Sequence, residues 1–147
     1  MQEQDYNNAL SDFNTAINLS ESQYAPAFYN RGVLQSTASK NHAAAEQDLT
    51  TAISLDSSFI EAYIKRASER IFTQNFSGAL NDLEKAKQID STNVDIYYTR
   101  AKVLTNAMNF KEALPWYNRA ITMDSTTAER PTPEATSERL STNRWAP

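Results

Sequence analysis

Apolar residues recur along this chain at steps of three and four, and the whole arrangement returns after about 34 residues. From Phe76, the apolar positions Ala79, Leu80, Leu83, Ala86 and Ile89 keep that step, while Asn81, Asp82, Glu84, Lys85 and Gln88 fall mostly between them. This puts one apolar stripe on a helix of about four turns. The polar joint Asp90-Ser91-Thr92-Asn93 offers side-chain acceptors to the unpaired amides of a new helix, which runs on through Val94, Tyr97, Ala101 and Leu104. Asn109 plays the same starting role before Phe110. Carried over the chain, the pattern predicts helices near 5–19, 24–38, 42–55, 59–73, 76–89, 93–107 and 110–123, about seven in all, with very short connections.

Small residues keep the period most strictly. Ala45, Ala79 and Ala113 are 34 apart, as are Ala52, Ala86 and Ala120, and an earlier pair, Ala9 and Ala16, precedes the first set by 36. Phe28, Tyr63 and Tyr97, then Arg31, Arg66 and Arg100, then Gly32, Ala67 and Ala101 are spaced by 35 and 34. Short connections force neighbouring helices to run antiparallel. One such hairpin cannot bury its own apolar face, but it can against the next hairpin. The small residues then sit where helix axes cross, and Phe28, Leu49, Tyr63, Leu83, Tyr97 and Tyr117 fill the space between.

These residues resemble the tetratricopeptide repeat family, a 34-residue helix hairpin with an aromatic and a small residue in helix A and Ala, a large residue and Ala in helix B. Tyr63, Ala67, Ala79, Leu83 and Ala86 match in one copy, and Tyr97, Ala101, Ala113, Tyr117 and Ala120 in the next. Phe28, Gly32, Ala45, Leu49 and Ala52 match in the first, which carries one inserted residue. The resemblance implies an all-α, right-handed superhelical solenoid of antiparallel hairpins. Its expected divisions are a lone helix B over 1–23, three repeats within 24–127 (about 25–59, 60–93 and 94–127), and a Ser/Thr/Pro-rich tail over 128–147. By composition the tail from Ser125 reads as linker or an appended extension, although Thr132-Pro133 could open a short helix through Leu140 and dock Leu140 and Trp145. Two departures from the family pattern stand out. Ser57, Ser91 and Ser125 replace the junction proline, which predicts looser joints, and Pro115 predicts a kink or a late start in the last helix.

Composition narrows the chemistry. A formal charge of -4 and a pI near 5 argue against a basic face for nucleic acid, and no apolar run approaches the roughly 18 residues that cross a bilayer. A soluble chain is expected, in a compartment the sequence does not fix. Cysteine is absent, and the single histidine, His42, falls where the other copies have Phe76 and Phe110, so it reads as a packing residue. Neither a transition-metal cluster nor a cofactor or catalytic motif is expected from these residues, and the chain reads as a non-enzyme.

Arg31, Arg66 and Arg100 recur with Asp12, Asp48 and Asp82, which predicts a ladder of structural ion pairs. Two pairings fit the spacing. Either Asp12, Asp48 and Asp82 reach forward to Arg31, Arg66 and Arg100, or Arg31 pairs with Asp48 and Arg66 with Asp82, leaving Arg100 facing Trp116 in the aspartate slot.

The resemblance also implies that the A helices build a concave groove, to which Tyr29, Val33, Ile64, Ser68, Phe72, Tyr98 and Lys102 contribute together with Glu61 and Asp95. The clamp of Lys, Asn and Arg by which chaperone-binding members hold a C-terminal carboxylate is missing, since the matching positions are Tyr29, Val33, Lys65, Asp95 and Thr99. The expected function is a non-catalytic protein interaction module that binds a peptide or protein segment in that groove. Alternatives are a targeting or regulatory domain of a larger enzyme, or a structural segment of a longer array. Leu10, Phe13 and Ile17 would leave an apolar N-terminal edge open to self-association.

Overall fold

The computed structural model describes residues 3–128, with side chains as far as Ser125. Seven α-helices follow one another: α1 Glu3–Leu19, α2 Ala25–Ala38, α3 His42–Leu55, α4 Ile60–Phe72, α5 Phe76–Ile89, α6 Val94–Asn106 and α7 Phe110–Ala128. None of the described residues lies in a strand. Each helix packs on the next, and α4 also touches α2 and α6, which sets the three A helices side by side. Among the described residues no helix is long and apolar enough to cross a membrane.

The same local devices recur in each copy. Lys40, Gln74 and Met108 close α2, α4 and α6 with left-handed backbone (φ 55, 58 and 61°). The amides of Asn41, Asn75 and Asn109 then donate back to the carbonyls of Gln35, Arg70 and Leu104 at 3.0, 2.9 and 2.8 Å. This closure satisfies carbonyls that a helix end leaves unpaired. Asn41 and Asn75 next cap the following helices, accepting from the amides of Ala44 (3.1 Å) and Gly78 (3.0 Å).

The serine joints are held more firmly than their lack of proline suggests. Asp56 accepts from the amide and hydroxyl of Ser58, and Asp90 does the same with Thr92. Tyr63 and Tyr97 lie in the core but donate their hydroxyls to the carbonyls of Ser57 (3.2 Å) and Ser91 (2.7 Å). Each tyrosine therefore ties the hydrophobic core to a joint.

Ala45, Ala52, Ala67, Ala79, Ala86 and Ala101 are all fully buried, as are Leu49 and Leu83. A Cβ on Gly32 would come within 3.2 Å of the Ala45 carbonyl oxygen and 3.3 Å of the Leu49 side chain, so α2 and α3 cross there at close approach. One buried cluster gathers Ile17, Phe28, Leu49 and Ala62, and another runs from Tyr63 through Tyr97 and Val103 to Ala120. Ile53 packs against both, so the core continues from one hairpin to the next.

Three expectations are corrected. α7 begins at Phe110, so Pro115 does not delay it, although the missing proline amide leaves the Lys111 carbonyl without its usual partner. The helix also runs past Asp124 to Ala128, with Ser125 donating its hydroxyl to the Ile121 carbonyl (2.9 Å). No glycine or proline interrupts the chain between Pro115 and Pro131. Finally, Ile17 is buried beside Ala25 and Phe28, and Leu10 and Phe13 are half-buried, because α2 covers much of the edge expected to be open. The proposed helix over 132–140 and the docking of Leu140 and Trp145 lie outside the described residues.

Candidate functional site

Consecutive aromatics divide between the core and the A-helix face. Phe28 and Tyr97 are buried, whereas Tyr29 is half-buried with its ring 4.9 Å from Phe59, and Tyr98 is 50% exposed with its ring edge-on to Tyr117 at 5.7 Å. Tyr29, Ile64 and Ser68 come together with Glu61 and Asp95 around a cavity of about 230 Å³ spanning α2, α4 and α6. Tyr98 and Ile121 line a second cavity of about 370 Å³, which shares Asp95 with the first. Burial, and secondly the charge of Glu61, push the Tyr29 phenol above its ordinary pKa. Val33, Phe72 and Lys102 line neither of these cavities. Val33 is half-buried, Phe72 is exposed and stacks on His42 at 3.9 Å, and the Lys102 ammonium lies 5.8 Å from the Tyr98 ring centre.

Behind this face the arginines join successive B helices. Arg31 donates twice to Asp48 (2.7 and 2.6 Å), and Arg66 donates twice to Asp82 (3.0 and 2.7 Å). The remaining guanidinium nitrogen reaches back to the preceding B helix: Arg31 to Asn14 (2.8 Å), Arg66 to Thr50 (3.0 Å) and Arg100 to Glu84 (3.1 Å). Of the two pairings open to the sequence, the geometry therefore has the one within hairpins, and Asp12 is exposed. Arg100 lies over Trp116, 4.4 Å from the ring centre, and its Nε is buried without a hydrogen-bond partner. The arginine is thus a staple through three helices, complete in two copies and altered in the third.

A second polar centre was not foreseen. Glu69 is 1% exposed and accepts from Ser36 (2.7 Å), His42 (2.6 Å) and Lys65 (2.8 Å). Burial alone would raise its pKa, but hydrogen bonds from Lys65, His42 and Ser36, with the Lys65 charge, outweigh that and hold the carboxyl below its usual range. Beside it Arg70 bonds Glu46 (2.7 Å), Asp82 (2.8 Å) and the Gly78 carbonyl (3.1 Å). The signal for this centre was in the repeat itself. Glu69 occupies the slot of Leu34 and Val103, Arg70 that of Leu104, and Glu46 that of Leu80 and Leu114. Charges in apolar slots of a repeat require partners.

Residues 94–127 match the sequence profile described as Tetratricopeptide repeat, over a hairpin built from α6 and α7. This hairpin is a tetratricopeptide repeat. Solved structures extend the similarity beyond that one repeat. A crystal structure of MamA superposes with a TM-score of 0.74 at 20% identity, covering 84% of this chain and 71% of MamA. The Arabidopsis OM64 TPR domain superposes at 0.63 with 24% identity, covering 80% and 94%. These two similarities concern the fold. YrrB, described as a TPR protein with an unusual peptide-binding site, superposes at 0.65 with 26% identity, and this chain spans 57% of it. No curated protein sequence matches the chain. Within the repeats, Lys65, the one cation at the positions of the carboxylate clamp, is committed to Glu69, and Thr99 is buried. Among the described residues, no group of three or more histidine, aspartate or glutamate side chains could hold a metal ion.

Proposed function

We propose that this chain is a non-catalytic interaction module that binds a peptide or protein segment along the face formed by α2, α4 and α6. The observation that carries the reading is that the half-buried Tyr29 and Ile64 and the exposed Tyr98 line two adjoining cavities, while their neighbours Phe28, Tyr63 and Tyr97 fill the core. Exposed aromatic surface in a groove suits an extended or helical ligand, whose side chains enter pockets at successive positions. The peptide-binding description of YrrB is consistent with this use of the fold. The test is a peptide-library screen on the wild type and on Tyr29→Ala plus Tyr98→Ala. Binding that falls at least about tenfold in the double variant supports the groove, and unchanged binding refutes it.

A second reading, a structural segment of a longer array, is favoured by the exposure of Phe110, Leu114 and Ile121 on α7. A chain of that kind would bind no peptide pool. Self-association through α1 is the weaker alternative, because Ile17 is already covered from within the chain.

A further inference from the structure

The cavity between α2, α4 and α6 has a chemical character that narrows the class of ligand. Its lining combines the Tyr29 ring and the Ile64 side chain with the polar Ser68 and Asn93, and the exposed Glu61 and Asp95, in the first turns of α4 and α6, add two carboxylates. Lys65, the cation among its lining residues, donates instead to the buried Glu69 at 2.8 Å and to Ser36 at 3.3 Å. The adjoining cavity shares Asp95 and adds the apolar surface of Val94, Tyr98 and Ile121.

A slot that sets an aromatic ring and an aliphatic side chain beside two carboxylates matches a long aliphatic stem that ends in a cation. The stem lies along Tyr29 and Ile64, and the charged head remains at the rim beside Glu61 and Asp95, partly hydrated. A carboxylate-bearing side chain in the same place would meet two like charges, and a neutral one would gain only the apolar contact.

We propose that this cavity is a specificity pocket for one lysine or arginine side chain of the bound peptide. The proposal rests on the groove reading above and adds to it the charge of the ligand. A peptide with one cation followed by aliphatic residues would place the cation here and an aliphatic side chain between Tyr98 and Ile121.

The experiment uses fluorescein-labelled decapeptide pools that are randomised except at one central position, fixed as Lys, Arg, Gln, norleucine or Glu. Their affinities are measured by anisotropy at low and physiological salt. The Lys and Arg pools should bind about tenfold more tightly than the Gln and Glu pools, with the gap narrowing as salt rises. Glu61→Gln with Asp95→Asn should bring the Lys and Arg pools down to the affinity of the Gln pool. Glu61→Gln alone should lose part of the preference, which guards against a fold defect in the double variant, and circular dichroism melts check both. Equal binding of the Lys and Gln pools overturns the cation pocket and leaves the groove standing. A preference for Glu overturns the pocket in the same way. Failure of every pool to bind overturns pocket and groove together.

Discussion

Asp82→Ala removes the acid on which two arginines converge. The Asp82 side chain is 2% exposed and takes hydrogen bonds from Arg66 at 3.0 and 2.7 Å and from Arg70 at 2.8 Å. Deleting one partner of a buried ion pair costs about 3–5 kcal/mol, because the other charge is left desolvated. Both guanidiniums keep secondary partners, Thr50 for Arg66 and Glu46 with the Gly78 carbonyl for Arg70, which places the loss near the lower end, about 3 kcal/mol. Asp48→Ala is the internal control. Asp48 serves only Arg31, whose side chain is 22% exposed and retains Asn14, so water can replace much of what is lost and the cost should be about 1.5–2 kcal/mol. Urea titrations followed by far-ultraviolet circular dichroism read both values from the midpoint and slope. The reasoning requires Asp82→Ala to be the more damaging by about 1 kcal/mol or more. Equal losses, or a loss below about 1 kcal/mol at Asp82, would refute the claim that convergence of two arginines on one buried acid holds α4 to α5.

Four further outcomes are expected. Trp116→Asp should be more stable than Trp116→Ala by about 1 kcal/mol in the same titrations, because the new acid meets the unpartnered Arg100 Nε. Asn75→Ala should cost about 1 kcal/mol, since it leaves the Gly78 amide at the start of α5 uncapped. Met108→Gly should raise the melting temperature by a few degrees, because Met108 is 76% exposed and sits at φ 61°, where glycine carries no Cβ strain. The lowered pKa of Glu69 means that the folded chain binds this proton less readily than the unfolded one. Its stabilising effect is therefore present above the ordinary glutamate range and is lost as pH falls through the lowered value. Stability measured against pH should drop more steeply over that window in the wild type than in Glu69→Gln.

The hairpins were legible in the sequence because their restraints are local and repeated. The alanines at helix crossings, the three- and four-residue steps and the asparagine caps recur at one period, and each copy supports the others. The Arg31–Asp48 and Arg66–Asp82 pairs were visible as one of two spacings, and choosing between them needed the hairpin geometry. The Glu69 centre escaped because His42, Ser36 and Lys65 come from three helices and are not spaced as a motif. The tyrosine hydroxyls were missed for a different reason. The aromatic spacing shows Tyr63 and Tyr97 only as core volume, whereas the hydroxyl at the end of each ring also fixes a joint that lacks proline. Among the groove residues, repeat register placed Tyr29, Ile64 and Ser68 together, whereas it could not show that Phe72 would stack on His42.

The most direct test of the interaction-module account is amide chemical-shift mapping on uniformly 15N-labelled protein titrated with the tightest-binding peptide pool. The account predicts perturbations concentrated on α2, α4 and α6, strongest around Tyr29, Ile64, Ser68, Asp95 and Tyr98. Perturbations confined to α1, α3 and α5, or no perturbation at saturating peptide, would contradict it.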